Sequence, residues 1–279
     1  MASLAPVSAV APAAVPAAGE PRLEAGFRAM YELRFEAARD EILAHQAAHP
    51  EDPLGWAAEA ASYLFEEFNR QGVLTSAFFL DDATFLGGIA GRPDPGRREK
   101  FLAANDRARK LAGVLLKANP KDADGLFVVT LADGMEGDFE AIIEKRQIAA
   151  LSSIRRAEKE ATLLLSVRPE AQDAYVALGA ANYIIGSLPS YKRFFLWFGG
   201  VRGDREHGMD QLQLAAEHGH YLRPLAQSLL AFASEREGRF DRAQALFADL
   251  AREFPLNPSF ARELLLAERG GASGTTSAQ

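Results

Sequence analysis

Apolar residues return at three- and four-residue intervals along most of this chain, the period of an amphipathic helix rather than the alternation of a strand. Near the start, Phe27, Tyr31, Phe35 and Ile42 mark one such face, predicting a helix over about Arg22–Leu33 and a second over about Phe35–His49. Near the end, the string FARELLLAER predicts an amphipathic helix over about Pro258–Glu268. Between these ends a punctuation recurs. A small residue inside a helix is followed twelve positions later by a proline: Ala38 and Pro50, Ala108 and Pro120, Ala157 and Pro169, Ala243 and Pro255. In the first unit Gly26 precedes Ala38 by another twelve. Two small side chains let a pair of helices approach closely, and the proline stops the second of them. Self-similarity on this scale predicts helix pairs stacked into an α-solenoid, with no strand-to-helix crossover.

The marks are unevenly spaced. Closing positions fall at Pro50, Pro120, Pro169, His220 and Pro255, giving intervals of 70, 49, 51 and 35. His220 closes its unit by register alone, because Gly208 stands where the alanine belongs. Against a unit of 34, the surplus is 36, 15, 17 and 1 residue, placed between the first helix (A) and second helix (B) of each pair. The longest surplus contains LTSAFFLDDATFLGG and a turn-rich GRPDPG. The next, GDFEAIIEKRQIAALSSIRRAEKEATLLLSV, reads as one long helix ending at Pro169. The third, SLPSYKRFFLWFGGVRGD, carries Tyr191, Phe194, Phe195, Trp197 and Phe198 within eight residues. In a solenoid, such insertions emerge along one edge. The last unit is regular, with Leu230, Gly238, Phe240, Ala243, Phe247 and Pro255 in place.

Composition narrows the chemistry. With 48% hydrophobic and 25% charged residues over 279 positions, the chain is of globular composition. A net charge of −7 argues against the basic footprint of a nucleic-acid binder. The absence of cysteine removes disulfides, thiolate metal sites and thiol nucleophiles. No apolar run is long enough for a transmembrane helix. Residues 1–20 hold eight alanines and three prolines with no charge before Glu20, which reads as a flexible arm or the cleavage end of a signal peptide. The compartment is therefore open between cytoplasmic and exported. Residues 270–279 read as a flexible tail, leaving 21–269 as the solenoid.

Candidate reactive groups each have a plainer structural explanation. His45 and His49 share a helix face at the spacing of a zinc pair, but Gln46 cannot act as a base and no third ligand is evident, so a solvated helix end is expected. His218 and His220 read as another helix end. Asp81 and Asp82 lack the alternating acids of a calcium loop and fit a helix cap. Gly87–Gly91 has neither nucleotide-binding spacing nor a preceding strand. Arg202, Asp204 and Arg205 sit where a helix N-terminus would attract an anion, with Asp204 equally suited to cap that helix and Arg205 to pair with a neighbouring insertion. No catalytic residue, cofactor or metal is expected.

The repeat landmarks over residues 21–269 resemble bacterial tetratricopeptide-repeat (TPR) proteins of unassigned function. A shorter string, with Gly186, Leu188, Pro189, Phe198, Gly200, Gly203, Asp204, Arg205 and Gly208, resembles a segment of the eukaryotic TPR family linked to inclusion-body clearance and lipid metabolism. The resemblance implies an adaptor. The fold expected is an all-α, right-handed solenoid of about five TPR-like helix pairs with insertions between A and B. The function expected is a non-enzymatic scaffold binding a protein or peptide on its concave face and inserted edge. A helices would line the concave face, offering Tyr63, Asn69, Asp133, Tyr175 and Tyr183. The partner-binding set expected is Tyr183, Tyr191, Phe194, Phe195, Trp197, Phe198, Arg202, Asp204 and Arg205. The alternative is a membrane-surface or lipid-associated adaptor using the aromatic insertion 187–204, helped by Lys192 and Arg193.

Overall fold

A computed structural model describes residues 23–189 and 203–276, in which all regular structure is helical. Five A/B pairs follow one another: α1 (Leu23–Tyr31) with α2 (Phe35–Ala48); α3 (Pro53–Gln71) with α6 (Pro95–Ala118); α7 (Ala123–Asp138) with α8 (Gln147–Val167); α9 (Tyr175–Ser187) with α10 (Arg205–His218); and α11 (Arg223–Arg236) with α12 (Phe240–Glu253). Two short helices, α4 (Ser76–Leu80) and α5 (Asp82–Gly87), lie inside the second pair, and α13 (Pro258–Thr276) packs on α12 as a cap. This is the TPR-like α-solenoid that the sequence predicts. The alanines of the repeat, Ala38, Ala108, Ala157 and Ala243, are all buried at helix contacts. The second A helix shows no clear small residue at the expected place in the sequence; Ala57 supplies it, packed against Ala108 and Ala112.

Two kinds of connection build the stack. Two of the loops from B to the next A end in aspartate caps, where Asp52 Oδ1 accepts from Leu54 N and Asp122 Oδ1 accepts from Gly125 N. These carboxylates satisfy otherwise orphaned N–H groups at the helix start. Turns from A to B instead use one left-handed residue. It is Leu33 (φ 60°) in the first pair, Lys145 (φ 58°) in the third and Gly238 (φ 73°) in the fifth. The following N–H then reaches back to the ending helix: Arg34 N donates to Ala29 O, Arg146 N to Glu140 O, and Arg239 N to Ser234 O. That bond closes the helix and starts the next one without a side-chain cap.

The third pair departs from expectation. Residues 137–167 are two antiparallel helices, not one long helix. Helix α7 continues through a π-helical turn (Phe139–Ile143), and the chain reverses at Glu144–Arg146. Neither glycine nor proline marks the reversal, since the left-handed position is Lys145. The last helix runs on to Thr276, past the boundary at 270 read as the start of a tail. Its Gly270 lies so close to Phe240 that an added Cβ would stand 2.5 Å from the ring.

The solenoid closes on itself. Helix α1 meets the last pair, with Phe27 against Tyr221 (ring centroids 4.7 Å apart) and Tyr31 against Phe254 (5.6 Å). Asn257 Nδ2 donates to Tyr31 O at 2.8 Å. The second-pair insertion also turns inward. Phe79 stacks on Phe232 of α11 at 4.7 Å, Arg236 lies over the Phe85 ring, and Ile89 N donates to Ile142 O of the π turn. One core therefore runs from Leu23 to Ala267.

Candidate functional site

Helices α9 and α10 meet backbone to backbone. A Cβ on Gly208 would stand 2.6 Å from Tyr183 N, one on Gly179 would stand 2.8 Å from Gly208 O, and one on Gly186 would stand 2.8 Å from Arg205 N. A Cβ on Gly203 would overlap Gly186 N. Glycines are required here because no side chain fits between the two backbones. Gly186 and Gly203 are thus held together, forming a glycine neck between α9 and α10.

Three of the expected partner-binding residues lie at this neck. Asp204 Oδ1 accepts from His207 N at 3.0 Å and caps α10. Arg205 Nη1 donates to Glu237 Oε1 at 3.0 Å, and the buried Tyr183 hydroxyl donates to the same oxygen at 3.2 Å. Burial, with Glu237 nearby, pushes the Tyr183 phenol well above its ordinary range. These side chains tie the neck to the fifth pair. The six others, Tyr191, Phe194, Phe195, Trp197, Phe198 and Arg202, lie outside the described residues.

The residues expected on a concave face are dispersed. Asp133 is buried between helices, ion-paired with Arg109 and Arg156. Tyr63 carries Arg39 and Lys100 over its ring, and Tyr175 is half-buried. Asn69 is exposed at the mouth of a cavity. His45 is not poised as a metal ligand either: its Nε2 lies 2.7 Å from Asp52 Oδ2, and among the described residues no three His, Asp or Glu groups form a metal-holding set. Asp81 caps α5, its Oδ2 accepting from Thr84 N at 3.1 Å.

Two ionic clusters join neighbouring helices and differ in stoichiometry. Between α3 and α6, Glu66 and Glu67 face Arg39, Arg70 and Arg97. Burial would raise Glu67, but hydrogen bonds from Arg70, Gln71 and Arg97 win and hold it at about 2. Around α7, Asp133, Glu136 and Glu160 share Arg109 and Arg156. There burial and the adjacent Asp133 push Glu160 up to about 7. Burial opposes the charged form in both clusters, and the arginines outweigh it only in the first.

Sequence reasoning missed one buried polar clamp. Ser76, at the start of α4, donates its N–H to Glu263 Oε2 (3.0 Å) and its hydroxyl to Glu235 Oε2 (2.5 Å). Both carboxylates are buried. Burial, with Glu263 adding, holds Glu235 above the usual carboxylate range although Ser76 pulls it back. The signal was present in α13, where Glu263 falls in the buried stripe with Phe260 and Ala267.

Among the described residues no helix is long and apolar enough to cross a membrane. No family model and no curated protein matches the chain. Among solved structures it is similar to a thermophilic TPR protein of Thermus thermophilus, with 16% identity, 88% of this chain and 100% of that chain covered, and a TM-score of 0.44.

Proposed function

We propose that this protein is a non-enzymatic scaffold that binds a protein or peptide partner, with recognition at the inserted edge rather than in the groove. The observation that carries this reading is the neck formed by Gly186 and Gly203. The segment bounded by this neck carries Tyr191, Phe194, Phe195, Trp197 and Phe198, the aromatics we assign to recognition, and Tyr183, Arg205 and Glu237 brace the neck itself. Aromatic residues are the side chains that most often anchor interfaces.

Affinity capture with the intact chain, compared with a Phe195→Ala/Trp197→Ala variant, tests it. The variant loses a partner that the parent retains; identical partner sets would overturn the assignment. Lys192 and Arg193 beside the aromatics favour a second reading, docking on an anionic membrane surface. Flotation with anionic vesicles at low salt separates the two: the scaffold stays unbound, whereas the membrane adaptor floats.

A further inference from the structure

Where the first, second and last helix pairs meet, the closed solenoid retains a cavity of about 310 Å³. Its walls come from α1, α3, the start of the second-pair insertion, α11 and α13. The depth is apolar, set by Met30, Phe65, Phe232 and Phe260. Polar groups there are engaged with their own chain: the Tyr31 hydroxyl donates to Tyr221 O, and Ser228 Oγ donates to Pro224 O. The interior therefore favours a ligand that brings hydrocarbon surface rather than hydrogen-bonding groups.

The mouth differs in character. Asn69 and Arg262 line it and both are exposed. The Asn69 side-chain amide has no hydrogen-bond partner among the described residues. Arg262 directs Nε and Nη2 to Glu263 Oε1 at 3.3 and 3.1 Å, and its Nη1 has no partner among the described residues. The negative charge of Glu263 is met by Arg262 on one oxygen and by Ser76 N–H on the other. What remains at the mouth is a pair of N–H donors, the Asn69 amide and Arg262 Nη1, suited to a carboxylate oxygen.

We propose that this cavity binds a small carboxylate-headed amphiphile, its apolar body among Met30, Phe232 and Phe260 and its head at Asn69 and Arg262. The size fits. At roughly 30 Å³ for each water-sized unit, the volume accepts about ten heavy atoms, near the lower end of ligand pockets. A peptide helix, about 10–12 Å across, does not enter.

Calorimetric titration of the full chain with decanoate, 1-decanol and decyltrimethylammonium, each below its micelle concentration, tests the proposal. Decanoate binds saturably, one per chain, about tenfold tighter than either of the others. Ala77→Trp places an indole at the mouth from an exposed position on α4 and abolishes decanoate binding. Leu266→Trp, also exposed at the rim, serves if that variant fails to fold by circular dichroism. Arg262→Gln weakens decanoate about tenfold and leaves decanol unchanged. No saturable binding by any probe, equal affinity for all three, or decanoate binding that survives a mouth-blocking variant overturns the proposal.

Discussion

The second and fourth helix pairs both carry a long segment between A and B, and the described structure around the two differs. In the second, the segment turns inward and becomes core: Phe78, Phe79, Phe85 and Ile89 are buried, and Ser76 is clamped by two carboxylates brought from α11 and α13. In the fourth, α9 and α10 touch through glycine backbones, so the chain leaves and returns at one point. The third pair, equally swollen by its landmarks, inserts no separate element and lengthens its helices on either side of Lys145. Excess length in a repeat is therefore not by itself a functional sign. In the second pair the extra residues bury apolar surface against α11, and in the third they extend helices that already pack.

The sharpest way to break the comparison is to separate the glycine neck. Gly208→Leu forces a side chain against Tyr183 N and should cost about 3 kcal/mol or more, read as a drop in the denaturation midpoint. A near-neutral result would mean that the two helices are free to move apart. The inward segment responds to a smaller change. Ser76→Ala leaves buried Glu235 without its hydroxyl donor and should cost about 2 kcal/mol, with faster proteolysis confined to residues 72–94. Cleavage spread along the whole chain would show that the clamp holds the global fold and not the segment.

Protonation then tests the clamp more finely. The folded pKa of Glu235 is raised above its unfolded value, chiefly by burial. The folded chain then binds that proton more tightly than the unfolded chain does. Its contribution is fully present below the ordinary glutamate range and is lost as pH rises through the raised value. Glu235→Gln removes this loss, so denaturation midpoints measured from pH 4 to pH 8 should fall less in the variant than in the parent. Parallel curves would place the Glu235 pKa at its ordinary value.

The repeat was legible because its physics is local: alanines at helix contacts and prolines after B helices each act within a few residues. The capping role of Asp204 was legible for the same reason, whereas Arg205 pairs not with a neighbouring insertion but with Glu237 in the turn of the regular fifth pair, 32 residues on. Closure of the ring was not, since Phe27 meets Tyr221 and Ser76 meets Glu263 across nearly two hundred residues, and no spacing rule spans that distance. The glycines of the segment Gly186–Gly208 were visible as a motif, but their cause, backbone contact between α9 and α10, exists only in the folded chain. Asp133 reads as a groove residue because it lies on an A helix, yet which face of the helix it occupies depends on the B helices to either side.

The turn of the third pair offers the smallest effect and the clearest control. Lys145 adopts φ 58° where Gly238 adopts 73° in the equivalent turn, and both are followed by an arginine whose N–H bonds back to the ending helix. A left-handed non-glycine residue costs roughly 1–2 kcal/mol, and glycine offsets part of its advantage through unfolded-state entropy. Lys145→Gly should therefore stabilise by about 0.5 kcal/mol. Gly238→Ala, where an added Cβ meets nothing within 4 Å, should destabilise by about 1 kcal/mol through conformation alone. Measured together by chemical denaturation, the two variants separate backbone cost from side-chain contact. Were Lys145→Gly destabilising, the lysine side chain would be holding the reversal, and the third pair would join the second as one whose surplus residues are fixed by specific contacts.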